Sequence, residues 1–285
     1  MLDPRSTARA SACAALAITA LLALAACANM GGSAPAPLSS ARIAEIVASP
    51  ERNEADRIND QRRKPREMLA FIGIRPGMVA LDLSAGGGYT TELLARAIGP
   101  AGKVYGQTAP RIARPAPAQP EGVAAPLAAA PAAAAPARPA PLGVAGRAQA
   151  LAAGAIVPVM QPFESPVPAE VAAGGLDLVT LMFNYHDLGH MGVDRAAMNR
   201  AVFAALKPRG VYVVADHSGR PGTGISESGT LHRIEEAFLR AEIERAGFKL
   251  LEEGQFMRNP NDPRDKNTPE PPQPKDEFVL KFVKP

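Results

Sequence analysis

A short apolar run followed by glycines constrains the fold of this 285-residue chain more than any other feature. Residues 78–83 read Met-Val-Ala-Leu-Asp-Leu, and Ser-Ala-Gly-Gly-Gly follows at 84–88. Buried parallel strands are continuously apolar, and a glycine turn after such a strand opens into the N-terminus of a helix. Apolar positions at helical spacing then cover 90–98, where Gly99-Pro100 ends the pattern. We therefore predict a strand, a glycine turn and a helix, which together are the first unit of an α/β sheet.

The alternation of strand and helix continues along the chain. Further strands are predicted at 103–107, 155–161, 176–183, 211–216, 248–256 and 277–283. Asp194 is a candidate cap for one helix, and apolar residues from Leu231 to Ala241 mark another, which Gly247 closes. The last two strands have no helix between them, which predicts that one of them runs antiparallel at the edge. The order indicates an α/β sheet with helices on both faces.

The first residues have the plan of a secretory signal. Arg5 and Arg9 precede an apolar stretch at 12–26 that is too short to be read as a spanning helix. It ends in Leu-Ala-Ala-Cys, which resembles a bacterial lipobox. We predict a lipoprotein signal at 1–27 with Cys27 lipidated, a flexible tether at 28–48, and an exported protein anchored in the membrane and facing the periplasm. An ordinary signal peptide with a chance cysteine is the alternative.

A second unusual segment covers residues 109–147. Nine of its 39 residues are proline and 16 are alanine, a composition that favours a polyproline-like or disordered insertion. The segment is flanked by strands, so we place it inside one domain that spans 49–285. It carries a net charge of +3 and the signal segment +1, which leaves the remainder of the chain near −1. With no Trp as well, the sequence gives no indication of a nucleic-acid partner.

Several motifs resemble one enzyme family. Residues 81–89, Leu-Asp-Leu-Ser-Ala-Gly-Gly-Gly-Tyr, resemble the first motif of class I S-adenosylmethionine (SAM)-dependent methyltransferases, which runs acid-x-Gly-x-Gly-x-Gly. Tyr185-His186-Asp187, Asp216-His217 and residues 230–234 resemble a bacterial group of exported predicted methyltransferases. The resemblance covers residue 49 onward, apart from the insertion. It implies a Rossmann-like, doubly wound, seven-stranded sheet with an antiparallel edge strand, and SAM as methyl donor.

The resemblance also implies a set of cofactor-binding residues. The expected contacts to SAM come from Asp82, Ser84, Gly86, Gly88, Gln107, Glu164 and Asn184. Glycines at a strand's carboxyl end let the backbone approach a ligand closely. A dinucleotide fingerprint would require glycine at Thr91 and is not met.

Two positions depart from the family pattern. Ser84 replaces the first motif glycine, and we expect its φ to be negative. Gln107 stands where the family has an acid that grips the ribose, and we expect its amide to hydrogen-bond the diol without charge assistance. Phe163 and Glu164 are the candidates for contact with adenine.

The loop after the fourth strand is expected to face the transferred methyl group. His186 is the candidate general base and Asp187 the residue that orients it, because an unperturbed histidine titrates near neutral pH. His217 is a competing base, while His190 and His232 are expected to be structural, and no metal site is predicted. Arg63 and Lys64 either line the site or lie on a solvated helix face.

Three functions remain open from the sequence. The first is a SAM-dependent methyltransferase that acts on a small-molecule acceptor. The second is a non-catalytic exported binding lipoprotein that captures a nucleoside-like or other small ligand, since export takes the domain away from cytoplasmic SAM. The third is a structural envelope lipoprotein whose proline-rich insertion contacts the cell wall or a partner.

Overall fold

The computed structural model describes residues 35–110, 143–151, 155–268 and 273–285. The predicted signal segment, Cys27 and most of the predicted insertion lie outside these residues. In the part of the chain described, no helix combines the length and apolar character needed to cross a bilayer.

Seven strands within the described residues form one sheet. They are β1 (Val79–Leu83), β2 (Lys103–Thr108), β3 (Ile156–Met160), β4 (Leu176–Met182), β5 (Leu206–His217), β6 (Lys249–Gly254) and β7 (Glu277–Val283). Their order in space is β3-β2-β1-β4-β5-β7-β6. Strands β1 to β5 pair in parallel, and β7 runs antiparallel to both β5 and β6. The predicted α/β, Rossmann-like sheet with an antiparallel edge pairing is confirmed. The reversed strand is β7, and β6 lies outside it at the edge.

The strand order reverses between β1 and β4. From β1 the chain proceeds outward to β2 and β3, and from β4 it proceeds in the other direction. In open α/β sheets, ligands bind outside the carboxyl ends of the strands at such a switch point. The glycine turn after β1 and the histidine-bearing loop after β4 both lie there.

Helices cover both faces of the sheet. They are α1 (Ser40–Ala48), α2 (Glu54–Arg63), α3 (Pro65–Ile72), α4 (Tyr89–Ile98), α5 (Val144–Ala150), α6 (Asp187–His190), α7 (Arg195–Ala205) and α8 (Glu236–Arg245). The period of two along the strands sends alternate side chains to opposite layers. Ala80 and Val104 pack with the apolar residues of α1, α3 and α4, whereas Leu81 and Tyr105 pack with those of α7 and α8.

Two predicted boundaries are wrong. Residues 40–48, expected to be flexible tether, form α1, whose Ile43, Ile46 and Val47 are buried in the first core. The predicted insertion extends too far, because α5 begins at Val144 and Arg147 is 2% exposed. Composition alone does not distinguish short alanine-rich helices that pack on a core from segments that do not.

The helix predicted from Leu231 begins only at Glu236. Ile234 is instead a fully buried core residue that forms an isolated parallel bridge with Ser218. Pro65 is at the first turn of α3, as predicted. An N–H at that position would have no partner within the helix, so proline costs no hydrogen bond there.

Candidate active site

The glycine loop links β1 to α4 and has an unusual backbone. Gly86 and Gly88 have φ of +54° and +78°, so both use the left-handed region that glycine enters without a steric penalty. Ser84 has φ of +59°, and the expectation of a negative φ was wrong. A left-handed residue other than glycine costs roughly 1–2 kcal/mol and persists only where its surroundings hold it.

Gln107, at the end of β2, is what holds the loop. Its Oε1 accepts from the Ser84 amide at 2.9 Å, and its main-chain carbonyl accepts from the Ala85 amide at 2.8 Å. Its Nε2 donates to the Gln161 carbonyl at 2.6 Å, and the residue is fully buried. The predicted role in binding a ribose diol is therefore wrong, because the carboxamide is already committed to supporting the loop.

Asp82 lies in β1 directly below the loop and is almost fully buried. Its carboxylate accepts from Thr91 Oγ1 at 2.6 Å and from Thr180 Oγ1 at 2.9 Å. Burial raises the pKa of Asp82 to about 6, and the two hydroxyl hydrogen bonds oppose that rise. Threonines on α4 and β4 thus hold a carboxylate at the base of the loop.

A cavity of about 240 Å³ opens above this loop. Its lining includes Arg63, Asp82, Ser84, Gly86, Tyr89 and Asn184. Asn184 joins it to the loop after β4, since its Oδ1 accepts from Ser84 Oγ and its Nδ2 donates to Asp187 Oδ2 at 2.7 Å. The structure therefore brings together four of the predicted cofactor residues, Asp82, Ser84, Gly86 and Asn184.

Two predicted cofactor residues lie elsewhere. Among the described residues, Glu164 is not part of the cavity lining; its carboxylate accepts from the Asp194 amide at 3.3 Å. Its neighbour Phe163 is buried in the second core. Neither of these described residues lines this cavity, and their contacts with adenine stay a prediction. Gly88 lies behind the loop, where its Cα faces the side chain of Arg147.

Arg63, at the end of α2, is the cation of this cavity, and of the two alternatives for this residue the structure has it lining the site. Its guanidinium lies 4.8 Å from the centre of the Phe183 ring and 5.4 Å from that of Tyr89. No described residue supplies it with a hydrogen bond or an ion pair. Burial, together with neighbouring Arg62, lowers the pKa of Arg63 from its ordinary value. A partly buried guanidinium facing a cavity in this way is suited to an anionic group of a ligand.

His186 is buried between two carboxylates. Its Nδ1 is 2.6 Å from Asp216 Oδ1, and its Nε2 is 3.1 Å from Asp187 Oδ1. Burial would lower the pKa of His186, but the hydrogen bonds to Asp187 and Asp216 raise it to about 9. Burial would raise the pKa of Asp187, but its contacts with His186 and His232 lower it to about 2. Both ring nitrogens of His186 therefore face carboxylates, and its role as general base stays a prediction.

Asp216 was missed as a partner of His186. It is fully buried and accepts from the His186 amide at 2.7 Å and from the His217 amide at 2.8 Å. The available signal was its place at the carboxyl end of a strand beside the switch point. Asp187, which was predicted to orient His186, does contact the His186 ring. Asp216, however, contacts both the ring and the backbone amide of His186.

His217 faces a different neighbour. Its Nδ1 lies 2.9 Å from Glu277 Oε1, although the angle is poor for a hydrogen bond. Burial lowers the pKa of His217 to about 3 and raises that of Glu277 to about 7. Burial thus disfavours the charged form of both groups.

A larger cavity, of about 740 Å³, opens beside Glu277. Four cations line it, Arg62, Lys64, Arg258 and Lys275. Arg62 lies 5.2 Å from the centre of the same Phe183 ring that Arg63 contacts from the smaller cavity. The Phe183 ring is also 5.7 Å from that of His217. The two cavities are therefore linked through the contacts of Arg62 and Arg63 with one ring, that of Phe183.

No family model and no curated protein sequence matches this chain. Among solved structures, the chain is similar to a SAM-dependent methyltransferase from Aquifex aeolicus, with a TM-score of 0.51 and 13% identity over 87% of this chain and 100% of that one. It is also similar to a chain from the complex between the Haloferax volcanii Trm112 methyltransferase activator and a candidate methyltransferase, with a TM-score of 0.52 and 16% identity over 81% of this chain and 93% of that one. The chain has the fold of the class I methyltransferases.

Proposed function

We propose that this chain is a SAM-dependent methyltransferase that acts on a small acceptor bearing an anionic group. The fold supports the class of reaction only, since many activities share one architecture. The observation that carries the proposal is the glycine-loop cavity, where open backbone, a buried carboxylate and an unpartnered guanidinium lie together. These are the groups that the zwitterionic methionine part of SAM requires.

The residues present fit that part of the cofactor. A Cβ at Gly86 or Gly87 would meet no atom closer than 4.0 Å, so this side of the loop is open to a ligand. Arg63 would bind the carboxylate of SAM, and Asp82 with the loop would hold its amino group. When bound, SAM supplies a methyl group on a sulfonium, which needs no further activation by the protein.

The fit is weaker for the nucleoside part. Gln107 is fully buried and bonded to the loop, so no charged group at the end of β2 is available for the ribose hydroxyls. Neutral hydrogen bonds are roughly half as strong as charge-assisted ones. We expect the methionine end of SAM to provide most of the specificity, and the overall affinity to be modest.

The larger cavity is our candidate for the acceptor site. Its four cations against the single acid Glu277 favour a small molecule with a carboxylate or phosphate. Glu277 lies in its wall, with His217 Nδ1 2.9 Å from the Glu277 carboxylate, so a proton leaving the acceptor has a partner at that wall. In this scheme His186 and Asp187 hold the loop after β4 in position.

Isothermal calorimetry with SAM and with its demethylated product tests the cofactor. We expect one site in the wild-type chain and no detectable binding by Gly86→Val, because a branched side chain at φ of +54° would distort the loop. Absence of binding by the wild type at millimolar SAM would overturn the proposal. Binding that survives in Gly86→Val would refute the placement at the loop.

A turnover assay tests the acceptor site. Formation of S-adenosylhomocysteine is followed with small phosphorylated and carboxylated alcohols, phenols and thiols. We expect Glu277→Gln to lower turnover by at least tenfold while SAM still binds. Activity only toward uncharged or cationic acceptors would contradict the role given to the four cations.

Export and lipid anchoring form a separate proposal that rests on the sequence alone. We infer that Cys27 carries the lipid and that the domain faces the periplasm, as the lipobox-like stretch at 24–27 indicates. Metabolic labelling with a fatty acid analogue tests this in cells. Labelling and membrane association should be lost in Cys27→Ser, and a variant that retains both would reject the anchor.

A further inference from the structure

All four histidines of the chain lie in one row. The ring centres of His217 and His186 are 5.3 Å apart, those of His186 and His232 5.6 Å, and those of His232 and His190 5.7 Å. Three separate segments supply them, namely the loop after β4 with α6, the end of β5, and the segment before α8. The proposed methyl transfer makes no use of His190 or His232.

Three side chains in this row present donor atoms to one point. Asp187 Oδ1 is 3.1 Å from His186 Nε2 and 2.8 Å from His232 Nδ1. The three ligand atoms all lie within 4.8 Å of one another. Zinc bonds to nitrogen and carboxylate oxygen at about 2.0–2.2 Å, so neighbouring ligand atoms in a tetrahedral site are about 3.3 Å apart. Small movements of exposed groups would bring the three donors to that spacing.

The supporting contacts are those of a metal-binding histidine. His186 directs its other ring nitrogen, Nδ1, to the carboxylate of Asp216 at 2.6 Å. Asp216 is itself fixed by two backbone amides, and Asn184 holds the second oxygen of Asp187 at 2.7 Å. Metal-ligating imidazoles almost always have such a carboxylate or carbonyl partner, which sets the tautomer and the orientation of the ring.

Charge and access also agree with a divalent cation. A metal ion bound at Nε2 would displace the proton of His186, and Asp187 and Asp216 would then supply two negative charges beside the donor atoms. The side chains of His232 and Asp187 are 40% and 24% exposed, which leaves the site open to solvent on one side. His190 is held by Ser228, and its Nδ1 lies 3.8 Å from Asp187 Oδ1, outside ligand distance.

We propose that His186 Nε2, Asp187 Oδ1 and His232 Nδ1 bind a divalent transition-metal ion of the zinc class, with a fourth position open to water or a ligand atom. Imidazole and carboxylate donors suit zinc and cobalt, and an open fourth position is typical of non-structural sites. The site does not depend on the proposed methyl transfer. It differs from the sequence interpretation, which predicted no metal.

Metal binding is measured on the full chain, purified without a polyhistidine tag and treated with a chelator. Equilibrium dialysis against Zn²⁺ with elemental analysis gives the stoichiometry, and the absorption spectrum of added Co²⁺ reports the ligand type. We expect one equivalent of Zn²⁺, Co²⁺ bands without a thiolate charge-transfer band, and at least tenfold weaker binding in His232→Ala. Asp216→Asn should weaken binding by roughly 10–100-fold through the lost support of His186.

His190→Ala is the matched control, because it removes an imidazole from the same row without removing a donor. It should bind Zn²⁺ as the wild type does. His232 is half exposed, so its variant should fold, which circular dichroism verifies. No stoichiometric binding by the wild type, a thiolate band in the Co²⁺ spectrum, or unchanged affinity in His232→Ala would each overturn the proposal. None of these readouts involves SAM, so this proposal and the methyltransferase proposal can fail separately.

Discussion

Arg147 is the strongest single test of how the glycine loop is supported. Its guanidinium donates to Asp56 Oδ2 at 2.6 Å and Oδ1 at 3.0 Å, to Glu92, and to the carbonyl of Gly87. The side chains of Arg147, Asp56 and Glu92 are 2%, 6% and 8% exposed. One cation from α5, at the end of the predicted insertion, therefore joins α2, α4 and the loop.

Replacing Arg147 by Met keeps most of the apolar stem and removes the charge. Two buried carboxylates then lose their shared partner, and breaking a buried pair in this way costs about 3–5 kcal/mol. Urea unfolding followed by circular dichroism measures this loss. With a slope of about 2–3 kcal/mol per molar urea, we expect the midpoint to fall by about 1–2.5 M.

Two further variants separate charge from packing. Adding Asp56→Asn to Arg147→Met should restore more than half of the lost stability, because Glu92 keeps its ion pair with Arg96 at 2.8 Å and no described carboxylate of the cluster is then left unpaired. Arg42→Met should change the free energy of unfolding by less than about 0.5 kcal/mol, since its ion pair with Glu45 is 58% and 64% exposed. A midpoint shift below about 0.5 M in Arg147→Met would refute the reasoning.

Three other predictions use the same unfolding assay. Gly88→Ala should lower the free energy of unfolding by about 2–4 kcal/mol, because a Cβ there lies 2.8 Å from Arg147 Cδ at a φ of +78°. Gly87→Ala is the control and should be near neutral, since its Cβ meets nothing within 4 Å. Equal effects of the two substitutions would contradict the geometry. Gln107→Leu should lose about 1–3 kcal/mol by leaving the loop amide unpaired, and a loss below about 0.5 kcal/mol would show that the loop needs no such support. The pKa of Asp82 is raised from 3.8 to about 6 on folding, so its stabilising contribution is fully present below pH 3.8 and is lost as pH rises through about 6, a change of about 3 kcal/mol. Asp82→Asn should flatten this part of the pH dependence, and an unchanged slope between pH 4 and 6 would contradict the assignment.

The sheet could be predicted because its signals are local. The apolar run before the glycines, the proline at the start of α3 and the Asp194 cap of α7 each act within a few residues, and the structure has all of them. The start of α8 was missed because Ile234 is spaced from Leu231 and Phe238 as a helical core residue would be. It is buried instead in a segment that forms a bridge to Ser218.

The site was less predictable because its chemistry depends on contacts between distant segments. Whether Gln107 binds a ligand or a loop depends on the Ser84 amide, 23 positions away. The orientation of the His186 ring depends on Asp216, 30 positions away, whose burial no local pattern indicates. The guanidinium of Arg63 becomes the cation of the cavity only because α2 ends over Phe183.

The central claim is that the glycine-loop cavity binds the methionine end of SAM through Arg63. Calorimetry with SAM and with 5′-methylthioadenosine, which lacks the amino-acid group, tests this on the wild type, on Arg63→Ala and on Arg66→Ala, an exposed arginine of the next helix. We expect Arg63→Ala to weaken SAM about 10–100-fold, as the loss of hydrogen bonds to a charged group does, and to leave methylthioadenosine unchanged. Arg66→Ala should change neither affinity. Equal affinity of Arg63→Ala and wild type for SAM, or equal weakening of both ligands, would contradict this account.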